Sequence, residues 1–295
     1  MTFSDPFLDK KEKFVLTPSD EQFKYLPNRT KQILKVLILD LLAVILILVI
    51  WHLLAVCVTH IRPIAFPTPV DVFWRMCGLF SGSPLYGKAI QEHVIISLSR
   101  WDIAYLITVI SGLPMGMLLG VHRPLQRLFM PAVYVLQLIP GLAWIPIAIL
   151  MFGIGEKTTI FMILITALPP VIINTTGGIM AVPRIYTNVA QTIGLGRGRI
   201  FLSVLLPASL ISIINGLRIG FANGWRVLIA AEMIVGVSVG LGYCLIQARW
   251  SLDFEAALVC IAVICIIGLL VEKVLFNAIE KKILEYQGLS KEQAL

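Results

Sequence analysis

The sequence predicts an all-α integral membrane protein with six transmembrane helices, and three observations lead there. Charged residues make up 14% of the 295 positions, where soluble domains carry about 25%, and the mean hydropathy is +0.90. The apolar residues run in long blocks rather than alternating with period two, which favours helices over a barrel. Lys and Arg concentrate on alternate connections between those blocks, the pattern of helices threaded back and forth through a bilayer.

Taken in order, residues 1–35 mix Lys, Asp, Glu and Pro. They are too long and too acidic for a signal-peptide n-region and read as a cytoplasmic N-terminal tail. A span needs roughly 20 apolar residues. The blocks that meet this are 36–58, 102–121, 128–152, 158–180, 207–235 and 254–276. Residues 59–101 form an external segment. It begins with "RPIAFPTP", whose prolines exclude a helix, and continues with amphipathic pieces around 70–80 and 89–98. Residues 277–295 read as a cytoplasmic C-terminal tail. With the N-terminus inside, sixteen of the 24 Lys and Arg fall on the cytoplasmic side and six outside, with Arg218 and Arg226 inside the fifth span. That asymmetry places both termini in the cytoplasm of a bacterial inner membrane. The net charge of +7 does not point to nucleic acid, because the basic residues cluster beside spans.

Several features resemble chemistry without its spacing. "GIGEKT" at 153–158 has Glu156 between Gly155 and Lys157 and lacks the four-residue gap of a phosphate-binding loop. The five cysteines form no CxxC, and the four histidines share no ligand spacing. No metal site and no nucleotide site of its own is expected. Gly112, Gly116 and Gly120 recur every four residues, which puts them on one face where a second helix approaches closely.

The fifth span carries the costly groups. Arg218, Trp225 and Glu232 are seven apart, so each returns to within about 20° of the last. Charges at membrane depth usually face a protein interior or a water-filled cavity. This stripe therefore either lines a pathway or has its ends snorkelling to the two interfaces. Arg226 points about 100° away from Trp225, toward another helix or an anionic solute.

Between spans four and five lies "NVAQTIGLGRGRIFLSVLLP", residues 188–207. It resembles the cytoplasmic signature of ABC importer permeases: Glu-Ala-Ala, three residues, Gly, nine residues, Ile, any residue, Leu-Pro. Ala190, Gly194, Val204, Leu206 and Pro207 take the second alanine, the glycine, the isoleucine and the Leu-Pro, while Asn188 and Val189 replace the Glu-Ala pair. "LQLIPGLAWIPIAILMFGIGEKT", "ALPPVIINTTGGI", "GLRIGFANGWRVLIAAEM" and "GLGY" follow in collinear order. Together they resemble the nitrate/sulfonate/taurine/bicarbonate branch.

The resemblance implies a type I ABC importer permease fold with a core over 90–276 and a cytoplasmic coupling helix in the loop 182–206. It implies a second permease copy, identical or related, two cytoplasmic ATPase subunits and an external solute-binding protein, in contact with membrane lipid. ATP and Mg would belong to the ATPase, and no cofactor to this chain. Asn188, Ala190, Gly194, Leu195, Arg197, Arg199, Leu206 and Pro207 are then the ATPase-coupling candidates. Leu195, Ile200, Phe201 and Val204 would supply the apolar docking contacts. Gln137, Trp144, Asn174, Arg218, Trp225, Arg226 and Glu232 are the translocation candidates. Arg218 and Arg226 would suit a small oxyanion such as nitrate, a sulfonate (taurine, an alkanesulfonate) or bicarbonate. A secondary transporter or channel would need inverted repeats, broken midplane helices or a row of ionisable groups. An intramembrane enzyme would need a Ser/His, Asp/Asp or zinc constellation, and none is recognisable.

Overall fold

The computed structural model describes residues 29–61 and 66–288. The N-terminal tail 1–35 and the end of the segment 277–295 therefore lie wholly or partly outside the described residues, as does part of "RPIAFPTP". The chain divides into two compact units that meet at Pro69–Val70. The first holds α1 (Arg29–Ile61), whose last 21 residues, Leu41–Ile61, have a mean hydropathy of 3.1. After α1 the chain folds back on its last turns. Trp51 Nε1 donates to the Pro67 carbonyl at 3.2 Å, and Thr59 Oγ1 accepts from the Phe66 amide at 3.2 Å.

The second unit runs from α2 (Pro69–Phe80) through α3 (Ile90–Val121), α4 (Arg123–Leu138), α5 (Ile145–Phe152) and α6 (Glu156–Ala181). It continues with α7 (Arg184–Thr192), α8 (Arg197–Ile200), α9 (Leu206–Ile234), α10 (Leu241–Ser251), α11 (Phe254–Leu270) and α12 (Asn277–Tyr286). Five helices are long and apolar enough to cross a membrane, and six if the bent pair α4–α5 counts as one, among the described residues.

Three spans differ from expectation. The second begins at Ile90 rather than at 102, so the amphipathic piece at 89–98 is the first turns of α3 and not a separate helix. Arg100 and Asp102 interrupt the apolar run in the sequence, but Arg100 is paired inside the protein, and nothing stops the helix there. The third span bends by 101° between α4 and a short 3₁₀ turn, Gly141–Trp144. Pro140 donates no amide hydrogen and drives Ile139 to φ −76°, ψ 121°, outside the helical region. The sixth span runs without a break from Phe254 to Tyr286, so the expected tail opens with ten helical residues, α12.

The bundle is built around α6. On one side Gly112, Gly116 and Gly120 of α3 face it: a Cβ at Gly116 would lie 2.7 Å from Thr175 Cβ, and one at Gly120 2.8 Å from Ile179 Cβ. On the other side Gly216, Gly220 and Gly224 of α9 do the same, and a Cβ at Gly220 would stand 2.9 Å from the Ala167 carbonyl oxygen. Bare backbones let the helices approach to hydrogen-bonding range, and Thr176 Oγ1 donates to the Gly116 carbonyl at 3.0 Å. An aromatic core fills the space where α3, α9 and the π-helical stretch joining α11 to α12 meet: Trp101, Phe221, Trp225 and Phe276.

Gly177 and Gly178 separate packing from propensity. A Cβ at Gly178 would meet Ser212 Cβ at 2.5 Å, whereas one at Gly177 meets nothing within 4 Å. Gly178→Ala should lose about 1–3 kcal/mol through overpacking. Gly177→Ala should be neutral or gain up to about 1 kcal/mol in helix propensity. Thermal unfolding of the two purified variants reads the opposite signs directly.

Candidate functional site

The densest polar cluster joins α3, α9 and the start of α10. Glu232 is 1% exposed and three donor groups converge on its carboxylate. Ser97 Oγ lies 2.9 Å from both oxygens, Arg100 Nη1 donates at 2.8 Å and the Gly242 amide at 2.9 Å. Arg100 also donates to the Val239 carbonyl at 2.6 Å and to Glu156 at 3.1 Å. The Leu241 amide donates to Ser97 Oγ, and the Gly240 amide to His93 Nδ1. Nδ1 is therefore the bare nitrogen, and Nε2 donates to the Leu85 carbonyl at 3.0 Å.

This geometry explains "GLGY". The first amides of α10 are satisfied by His93, Ser97 and the Glu232 carboxylate in turn, and the carboxylate's charge opposes the helix dipole. Gly240 holds φ +145°, and a Cβ there would sit 2.6 Å from the Glu232 carboxyl group. A Cβ at Gly242 would collide with the Ile229 carbonyl.

The stripe Arg218–Trp225–Glu232 is thus real but faces the packed interior, which corrects its reading as a pathway or as snorkelling ends. Arg218 donates to Glu280 at 2.8 Å and Asn277 at 3.2 Å and lies over the Phe276 ring, fastening α9 to α12. Trp225 is 6% exposed and donates to the Ile264 carbonyl of α11 at 3.3 Å. Asn174 donates back to its own helix at Pro170 and packs against Gly216.

Arg226 lies on the other face of α9. It is exposed, in line with exposed Asn215 and Ile219. Its Nε and Nη2 rest on Ala222 O and Asn223 Oδ1 at 2.9 and 3.1 Å, and no carboxylate pairs with it among the described residues. The α4–α5 bend sits beside it, since a Cβ on Gly141 would be 2.5 Å from Val227 Cγ2. Trp144 closes the bend half-buried, and Gln137 is exposed at the end of α4.

The segment after α6 is a compact knuckle. α7 ends in a Schellman motif: Gly194, at φ +83°, donates its amide to Gln191 O at 2.9 Å, and Leu195 donates to Ala190 O at 3.0 Å. Such a motif needs a left-handed residue four positions after the first bonded carbonyl, here Ala190, which accounts for the three residues between it and Gly194. Ala190 is buried at 4%, and Ile200 at 5%, while Leu195, Phe201, Val204, Leu206 and Pro207 are half-buried. Of the apolar set expected to dock, only Ile200 is buried, and the other three are partly covered by the knuckle itself. The outward apolar residues are Ile185, Tyr186, Val189 and Ile193, each 55–70% exposed and spaced along one side of α7. Asn188, Arg197 and Arg199 are also exposed. Gln287 Nε2 bonds the Pro207 carbonyl at 2.7 Å, so the residues after α12 grip the start of α9.

Arg100, Ser97 and His93 escaped the sequence reading, although their spacing of four and three places them on one helical face. Losing one member of a buried ion pair strands the other, at a cost of about 3–5 kcal/mol. Arg100→Ala and Glu232→Ala should each lower the melting temperature strongly. Glu156→Ala, whose side chain is 68% exposed, should change it little.

Comparison with known proteins accords with this architecture. Residues 112–285 match the family described as "Binding-protein-dependent transport system inner membrane component". The taurine transport system permease protein of Escherichia coli is 30% identical over 77% of this chain and 82% of its own length. The nitrate import permease protein of Synechocystis sp. is 32% identical over 78% and 84%. A solved structure titled as inward-facing conformations of the MetNI methionine ABC transporter superposes with a TM-score of 0.54 at 21% identity, covering 65% of this chain and 94% of that one. With a family match over more than half its length and relatives aligned over more than three quarters of both chains, the chain belongs to the membrane-embedded permease subunits of binding-protein-dependent ABC importers, which transport rather than catalyse.

Proposed function

We propose that this chain forms the solute pathway of an ATP-driven importer of small oxyanions or sulfonates, and that a separate ATPase moves it through α7. The observation that carries the coupling half is the outward apolar row Ile185, Tyr186, Val189 and Ile193, flanked by exposed Arg184, Arg197 and Arg199. An apolar helix face rimmed with cations suits docking in a groove on a partner. It lies on the side where the Lys and Arg excess puts the cytoplasm, and so do both termini. Two such chains, two ATPases carrying ATP and Mg, and an external binding protein would complete the assembly.

The force path follows from the contacts. Anchored by Ala190 and Ile200, the knuckle leads straight into α9 through Leu206 and Pro207, so displacement of α7 is passed to a helix pressed against α6 along its length. Arg226 is the group on α9 that such motion would present to a solute. An unpaired guanidinium in a span is costly unless it faces water or an anion, and taurine and nitrate, named for two relatives, both carry an oxyanion. Gln137, Trp144 and Asn174 are the accompanying polar candidates.

Ile193→Asp and Ile185→Asp should each weaken retention of the co-expressed ATPase by about 2 kcal/mol or more, roughly thirtyfold in affinity, while membrane insertion and melting stay unchanged. Arg226→Ala should keep the ATPase bound and cut uptake by roughly tenfold or more. Full uptake by the Arg226 variant would remove the anion site from this helix. Intact ATPase retention in both α7 variants would remove the dock.

A further inference from the structure

Only Leu252 and Asp253 join α10 to α11, and Leu252 takes the left-handed conformation at φ +57°. Asp253 ties both arms of this helical hairpin. Its amide donates to the Ala248 carbonyl at 3.0 Å, and its carboxylate accepts from the Ala256 amide at 3.0 Å. Arg75 of α2 holds the same carboxylate at 2.9 Å.

Ala248 and Ala256 stand four residues either side of Leu252, and Cys244 and Cys260 stand eight. Residues equidistant from a short interhelical turn lie opposite one another, and positions four apart share a helix face. All four side chains are fully buried, at 0% exposure. The alanines let the two backbones close up beside the turn. One helical turn further on, the two cysteine side chains are in hydrogen-bonding contact, both as free thiols in the structure. Of the other cysteines, Cys57 and Cys265 are exposed and Cys77 is half-buried.

The pair follows the end of α9 remote from the α7 knuckle. With α7 in the cytoplasm that end is external, and the inference rests on that reading. External compartments are oxidising, and facing thiols there become disulfides. We propose that Cys244 and Cys260 are a modification site, joined in the mature protein by a disulfide that pins α10 to α11. Since α10 supplies the amides that hold Glu232, Ser97 and His93, the bond would also steady the end of α9.

Burial keeps a protein oxidant from both sulfurs once the hairpin has packed, so the exchange precedes packing. One thiolate attacks the disulfide of an external dithiol oxidase, forming a mixed disulfide and releasing one oxidase thiolate. The second cysteine thiolate then attacks the chain's own sulfur in that mixed bond. The Cys244–Cys260 bond forms, and the oxidase leaves as a dithiol with the two electrons and, after protonation, the two protons.

The test counts thiols on the full-length chain. Membranes are quenched in acid, denatured in detergent and treated with a maleimide-polyethylene glycol, with and without prior reduction. The wild type should take three adducts unreduced and all five after reduction. Cys244→Ser should take four in both lanes, because Cys260 is freed, whereas Cys57→Ser should take two and then four. Denaturation makes the count independent of whether a variant folds. Five adducts on the unreduced wild type, or no release of a thiol by Cys244→Ser, overturns the proposal. A Val189→Cys variant otherwise free of cysteine separates the two possible failures. Labelled by impermeant maleimide from the cytoplasmic side alone, it leaves the sidedness standing and confines the failure to the disulfide; labelled from outside, it overturns both.

Discussion

Close approach of three helices through their glycines is the constraint on which this structure rests. Lipid tails are as apolar as leucine, so burial against a neighbour gains little in a bilayer, and association depends on packing and on hydrogen bonds made at short range. α6 answers this by presenting Val171, Thr175 and Ile179 to the glycines of α3, and Ile163, Ala167, Val171 and Asn174 to those of α9. The arrangement has two consequences. α3, α6 and α9 behave as one block, since a shift of any one meets backbone on the next. Polar side chains are also brought near enough to bond across helices, as Thr176 does to Gly116.

The block has fixed ends. Beyond the aromatic core, Glu232 and Arg100 pair where neither can reach water, a poor way to gain stability but an effective way to specify one arrangement of α3, α9 and α10. At the other end Arg218 holds Glu280, and Gln287 holds the Pro207 carbonyl. α9 is thus clamped at both ends to helices outside the α6 contact. Only the face carrying Asn215, Ile219 and Arg226 is left open. An open, cationic face on an otherwise clamped helix is the feature a pathway between two permeases would use.

Much of this was legible in the chain itself. Each apolar block overlaps a helix, or the bent pair α4–α5, long and apolar enough to span, and the three glycines of α3 announced a packing face. The resemblance of residues 188–207 to a permease signature located the knuckle, and the Schellman turn at Gly194 gives a physical reason for its Ala-to-Gly spacing. What stayed hidden depended on partners distant in sequence. Nothing near Glu232 reveals that Arg100, 132 positions earlier, will neutralise it, so a stripe of charges read as a pathway is in fact a seam. The same pairing hid the outer third of α3, because Arg100 looked like the end of an apolar run. The bend at Pro140 was written in "LIPG" but masked by high hydropathy on both sides. On α7 the outward residues Ile185, Tyr186 and Ile193 lay inside the expected loop 182–206 but outside its expected docking set, because only the helix period, once placed, shows which side of α7 is bare.

Sidedness of the α7 knuckle decides the account most directly. With the five native cysteines replaced, Val189→Cys supplies one thiol at the exposed centre of α7, and a membrane-impermeant maleimide reports which side it meets. The account requires no labelling in intact cells, full labelling in inverted vesicles, and protection in those vesicles once the ATPase is bound. Labelling from the outside of intact cells would contradict it, because no cytoplasmic motor could then grip the helix that leads into α9.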